Sequence, residues 1–121
     1  MQIKGSTILI TGASSGIGAA CAAAAARAGA RVVLLARTQP ALEQLATQIH
    51  ATGGSAYAYP VDLTDAAAVD ATVARILAEL GPPDIVISNA GSGRWLFVEE
   101  TSATEAAELI AMPYLAAFYL T

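Results

Sequence analysis

The chain has 121 residues, ten acidic and six basic, for a formal net charge of −4; apolar residues make up 55% and charged residues 13%. That apolar share excludes a disordered chain, and the acidic balance lacks the basic footprint of a nucleic-acid binder. The one lysine is Lys4, so counting alone excludes a site that needs a lysine further along. No run of about 18 apolar residues offers a transmembrane helix, and the apolar start is broken by Gly12 too early for a secretion signal. One cysteine, Cys21, cannot form an internal disulfide, which fits a reducing cytoplasm; in its alanine-rich surroundings it reads as a small core residue. At this length one domain is expected, spanning 1–121.

Thr7–Thr11 (TILIT) is apolar on both faces, as a buried parallel strand must be, and ends at Gly12. Residues 16–28 read as a helix of alanines stopped by Gly29. Arg31–Ala36 (RVVLLA) is a second strand. A second helix covers 38–51, with Thr38 as its N-cap, Pro40 in its first turn, and Leu42, Leu45, Ala46 and Ile49 along one face. His50, near its end, reads as a surface residue favoured by the helix dipole. Ser55–Val61 is a third strand, with Pro60 marking an edge or a terminus. Thr64 is expected to cap a third helix reaching Leu80, with Ala66, Val69, Val73, Ile76, Leu77 and Leu80 buried. Gly81, Pro82 and Pro83 break it, and Asp84–Ser88 (DIVIS) is a fourth strand. A loop over 91–101 carries Arg94, Trp95 and Phe97, and Ser102 with Glu105 forms a capping box that opens a fourth helix. Glu99, Glu100, Glu105 and Glu108 have no histidine or cysteine beside them and read as a solvated helix start, not a metal site.

Alternating strands and helices with right-handed crossovers leave few topologies. The expected fold is α/β: a parallel, partly doubly wound Rossmann-type sheet with strand order 3-2-1-4 and helices on both faces.

The chemistry concentrates in Thr11–Gly18, TGASSGIG, between the first strand and the first helix. A phosphate can reach the free N–H groups and positive dipole end of a helix only if the turn carries no bulky side chains. Gly12 lets the chain turn off the strand, Gly16 permits close approach, and Gly18 lets the helix pack against the sheet. Ser14 and Ser15 add hydroxyl donors, and Ile17 lies within the same turn. The strand-turn-helix context matches the dinucleotide fingerprint; the plainer reading is a glycine-rich turn with no ligand. The absence of Gly-Lys-Ser/Thr excludes a P-loop.

The TGxxxGxG spacing resembles that of the short-chain dehydrogenases/reductases. So do LLAR at the end of the second strand, Asp62-Leu63-Thr64 after the third, and Asn89-Ala90-Gly91 after the fourth. The resemblance runs from the start of the chain to its last helix, and it implies hydride transfer between a nicotinamide dinucleotide and a carbonyl or alcohol. The residue ending the second strand faces the adenosine ribose. Here Ala36 is followed by Arg37, which suits a 2′-phosphate by charge and donor geometry, so the resemblance implies NADP(H) over NAD(H). It also implies that Asp62 accepts from the adenine amino group with the Leu63 backbone close by, that Asn89 braces the sheet, and that Asn89, Ala90 and Gly91 let the cofactor ribose pass. The plainer readings are a solvated arginine, a helix-start charge and a strand-ending turn.

The family's catalytic set is not matched. Its tyrosine acts as acid or base with a lysine four residues later, and a tyrosine near pKa 10 needs such a positive charge to work at neutral pH. No Tyr-x-x-x-Lys exists here, Tyr114 and Tyr119 have no lysine partner, and Pro113 stands where the family's asparagine is expected. Pro113 should kink the last helix or stop it at Met112. No catalytic residue is therefore assigned. The resemblance implies the N-terminal, cofactor-binding half of the family's chain, with one edge of the fourth strand and an apolar face of the first and fourth strands exposed. Three functions follow: part of an NADP(H)-dependent oxidoreductase; a non-catalytic dinucleotide-binding module; or an assembly module completed by a second copy or a separate chain. In the family the loop over 92–101 borders the substrate, but Arg94, Trp95 and Phe97 read more simply as loop packing.

Overall fold

The computed structural model describes residues 2–91 and 97–120. Its elements are β1 (Thr7–Thr11), α1 (Gly16–Arg27), β2 (Arg31–Ala36), α2 (Gln39–Ala51), β3 (Ser55–Pro60), α3 (Ala66–Leu80), β4 (Ile85–Ile87), α4 (Ala103–Ile110) and α5 (Ala116–Tyr119). The four strands form one sheet in the order β3-β2-β1-β4. Every pair is parallel, with Leu9 opposite both Val33 and Val86. The 3-2-1-4 order follows from the crossovers, which place β2 and β3 to one side of β1 and β4 to the other.

Alternation along the strands splits the core into two layers. Ile8, Ile10, Val32 and Leu34 face Ala22 and Ala26 of α1 and Leu42, Ala46 and Ile49 of α2. Leu9, Val33, Leu35 and Tyr59 face Val69 and Ile76 of α3 and Ala116 of α5. The alanines of α1 are what let that helix sit close against the strands. Cys21 is a partly buried member of the first layer. His50 is exposed but not idle: its Nε2 lies 3.0 Å from the carbonyl oxygen and 3.3 Å from the amide nitrogen of Ala56, on the outer edge of β3.

Several expectations are corrected. Thr64 does not cap α3. The cap is Asp65, whose carboxylate accepts from the Ala68 amide at 3.1 Å, while Thr64 turns back to Asp62. The buried stripe of α3 is Val69, Thr72 and Ile76; Ala66 is exposed and Leu77 is 48% exposed. β1 is buried along its whole length, because Leu9 is covered by the α3 and α5 layer, so of these two strands only β4 shows apolar exposure, with Val86 47% exposed. Pro113 does not stop the helix at Met112. Residues 111–115 widen into a π-type turn in which the Ala116 amide bonds the Ala111 carbonyl, and α5 follows directly. A wide turn accommodates a residue that has no N–H to give to the ordinary ladder. The capping box forms as expected, with the Glu105 amide donating to Ser102 Oγ and the Ser102 amide to Glu105.

Candidate functional site

At the carboxyl end of β1 the chain leaves the sheet through Gly12, whose φ is +66°, and enters α1 at Gly16, whose φ is +57°. Both values lie in the left-handed region that glycine adopts at no steric cost. The Ser15 side chain makes no capping bond at α1, so no side-chain cap occupies the amides of the first turn. Gly16 has open space where a side chain would stand, whereas a Cβ on Gly18 would press into the Gly12 carbonyl and the Asn89 side-chain amide. Gly18 is thus required for packing and Gly16 for the bend.

Across from this turn, the end of β4 is tied to β1 by one hydroxyl. Thr11 Oγ1 accepts from the amides of both Asn89 and Ala90 at 2.9 Å, and Asn89 Nδ2 lies 3.5 Å from the Gly12 carbonyl. Thr11 is buried, so this oxygen replaces water for two strand-end donors. Asn89 therefore braces the turn from beneath.

A cleft opens above these groups, lined by Gly12, Ser14, Ala36, Arg37, Thr38, Val61, Leu63, Ala90 and Gly91. The carboxyl ends of all four strands contribute to it. Of the residues singled out in the sequence, Gly12, Ser14, Arg37, Leu63, Ala90 and Gly91 line this cleft; Gly18 and Asn89 lie against Gly12; and Ser15, Gly16 and Ile17 form the exposed opening turn of α1. Asp62 points outward between buried Val61 and Leu63. Its Oδ1 accepts from the Thr64 hydroxyl at 2.6 Å and the Thr64 amide at 3.0 Å. These bonds, aided by the positive charge of Arg37, hold its carboxyl below the usual range. Thr38 and Val61 also line the cleft, although the sequence marked them only as a helix cap and a strand end.

Tyr59 is unsuited to act as a base. Tyr59 is 3% exposed and donates its hydroxyl to Glu79, while Arg75 lies 5.3 Å over its ring. Burial, then the bond to and charge of Glu79, push its pKa up to about 12, the wrong direction for proton abstraction at neutral pH. Tyr114 is exposed on the π-type turn. Arg94 and Trp95 lie outside the described residues, and Phe97 is exposed. Among the described residues no cluster of histidine, cysteine or carboxylates could hold a metal ion.

The model of the family described as short chain dehydrogenase matches residues 6–121. The chain belongs to the short-chain dehydrogenase family. It is 50% identical over 92 residues to an uncharacterized oxidoreductase of Mycobacterium tuberculosis, which covers 74% of this chain and 27% of that protein. To a fatty acyl-CoA reductase of Acinetobacter baylyi it is 48% identical over 90 residues, 74% of this chain and 30% of that one. Among solved structures, the L-sorbose reductase of Gluconobacter frateurii complexed with NADPH and L-sorbose superposes with a TM-score of 0.92 at 33% identity, covering 99% of this chain and 46% of that one. An alcohol dehydrogenase of Thermococcus sibiricus complexed with 5-hydroxy-NADP gives 0.91 at 33% identity, over 97% and 50%. The chain therefore spans under a third of these curated relatives and about half of these structural neighbours. The fold is that of an oxidoreductase family whose members bind nicotinamide dinucleotides. No helix among the described residues is long and apolar enough to cross a membrane.

Proposed function

We propose that the cleft binds a nicotinamide dinucleotide, NADP(H) in preference to NAD(H), and that residues 1–121 act as the cofactor-binding domain of a cytoplasmic carbonyl or alcohol oxidoreductase. The observation that supports this reading is the convergence on one cleft of Arg37 with Gly12 and Ser14, the turn leading into an uncapped helix start, where the residue ending β2 is Ala36 rather than an acid. The first-turn amides of Gly16, Ile17 and Gly18, with Ser14 and Ser15, would hold the pyrophosphate. Arg37 would take the 2′-phosphate, Asp62 and Leu63 the adenine, and Asn89, Ala90 and Gly91 the nicotinamide-side ribose. The fit is supported by the open space at Gly16 and the close packing at Gly18. When bound, the dinucleotide supplies or accepts the hydride; the tyrosine and lysine of the family's chemistry have no counterpart among residues 1–121, so this segment binds without turning over.

Calorimetric titration tests the preference. NADPH is expected to bind about tenfold tighter than NADH, and Arg37→Ala to erase most of that difference while leaving NADH affinity unchanged. Equal affinity for both cofactors in the unsubstituted chain contradicts it. A second reading, association with another copy or a separate chain, is favoured by the exposed Ile110, Tyr114 and Phe118 and by the open face at Val86; it adds a partner to the cofactor reading without replacing it.

A further inference from the structure

We propose that Thr64 is a positioning residue for purine recognition: it pins one oxygen of the Asp62 carboxylate and so presents the other to the 6-amino group of adenine. The inference rests on the cofactor reading and goes one step further, to the residue that sets its base specificity. Asp62 stands exposed between two buried residues that line the cleft, Val61 and Leu63, so the backbone fixes its position beside the cleft but not its side-chain rotation. Rotation is fixed by Thr64. Its hydroxyl and amide both donate to Oδ1, at 2.6 and 3.0 Å, closing a tight ring over three residues. Among the described residues no protein donor is bonded to Oδ2. A carboxylate held in this way is a pure acceptor aimed by its own chain.

The arrangement also explains why Thr64 does not cap α3. Asp65 performs that task, which leaves the threonine hydroxyl free for Asp62. The two bonds and the nearby Arg37 favour the ionised carboxylate, the form that accepts from an amine and repels a carbonyl oxygen. The recognised class is therefore a 6-aminopurine dinucleotide. A 6-oxopurine places an acceptor where the carboxylate needs a donor.

The test compares the affinity of NADPH with that of its hypoxanthine counterpart, in which the 6-amino group is replaced by oxygen, for the full chain and for Thr64→Val and Thr64→Ser. The unsubstituted chain is expected to favour the amino form by about fivefold. Thr64→Val should bring the ratio below about twofold with the fold intact by circular dichroism, and Thr64→Ser, which keeps the hydroxyl, should restore it. A merely structural role for Thr64 would weaken both ligands equally and leave the ratio unmoved. A ratio retained in Thr64→Val overturns the assignment of Thr64 alone, whereas failure of the unsubstituted chain to bind either dinucleotide overturns the cofactor reading and the inference with it.

Discussion

Strands β1 and β2 and strand β4 belong to one sheet, yet water reaches them differently. β1 and β2 are five and six residues long and lie between two helical layers, with Ile10, Val32, Val33, Leu34 and Leu35 fully buried. β4 has three residues, none fully buried, and pairs with β1 along its length. A groove lined by Leu9, Val73, Ile76, Leu77, Pro83, Val86 and Leu120 runs beside it. The candidate cleft draws most of its walls from the well-buried side and takes only the strand-end residues Ala90 and Gly91 from the other. The β2 and β3 side of the cleft thus stands on a buried base, while the β4 side is held by its pairing with β1, by the bonds between Thr7 and Asp84, and by the Thr11 hydroxyl.

The contrast can be broken by substitution. Leu34→Ala is expected to cost about 2–5 kcal/mol because it opens a cavity in a close-packed layer, whereas Val86→Ala on the open face should cost less than about 1 kcal/mol. Urea unfolding followed by circular dichroism measures both; equal costs would mean that β4 is as well packed as β2. Gly18→Ala comes next. The added methyl presses on the Gly12 carbonyl and the Asn89 amide, which should cost about 1–3 kcal/mol and remove most dinucleotide binding, because the turn itself must shift. Unchanged stability and affinity would show that the turn has slack.

The smallest effect is a pH dependence at the β3 edge. Tyr59 has its pKa raised from 10.0 to about 12 in the folded chain, so it holds its proton more tightly when folded. The stability this contributes is fully present below pH 10 and is lost as pH rises through about 12. Tyr59→Phe should flatten the alkaline limb of the stability curve over that window, beside a pH-independent loss of about 1 kcal/mol at neutral pH from the missing bond to Glu79. An alkaline limb unchanged in the variant would assign the loss to other groups.

The strands and their order were legible because β-branched runs buried on both faces leave few alternatives, and TILIT and RVVLLA are such runs. The glycine turn was legible for the same reason: Gly12, Gly16 and Gly18 each answer a steric demand that other residues meet poorly. What the sequence hid arose from local competition. Thr64 and Asp65 are adjacent cap formers, and only the draw of Asp62 on the threonine hydroxyl decides between them. Leu77 continues the apolar rhythm of α3 but falls on the side that faces the groove, where no layer covers it. Pro113 forbids an ordinary helical bond, yet a wider turn provides another solution that no local rule selects in advance. Thr38 and Val61 reach the cleft only because β2 and β3 end level with one another, a consequence of register rather than of residue type.

The most direct test of the cleft as a dinucleotide site is an amide chemical-shift map of the chain on titration with NADPH. The largest changes are expected at Gly12–Gly18, Ala36–Thr38, Val61–Leu63 and Asn89–Gly91, with the α2–β3 connection at Thr52–Gly54 unmoved. Changes centred on the groove beside β4, or none at saturating NADPH, would contradict it.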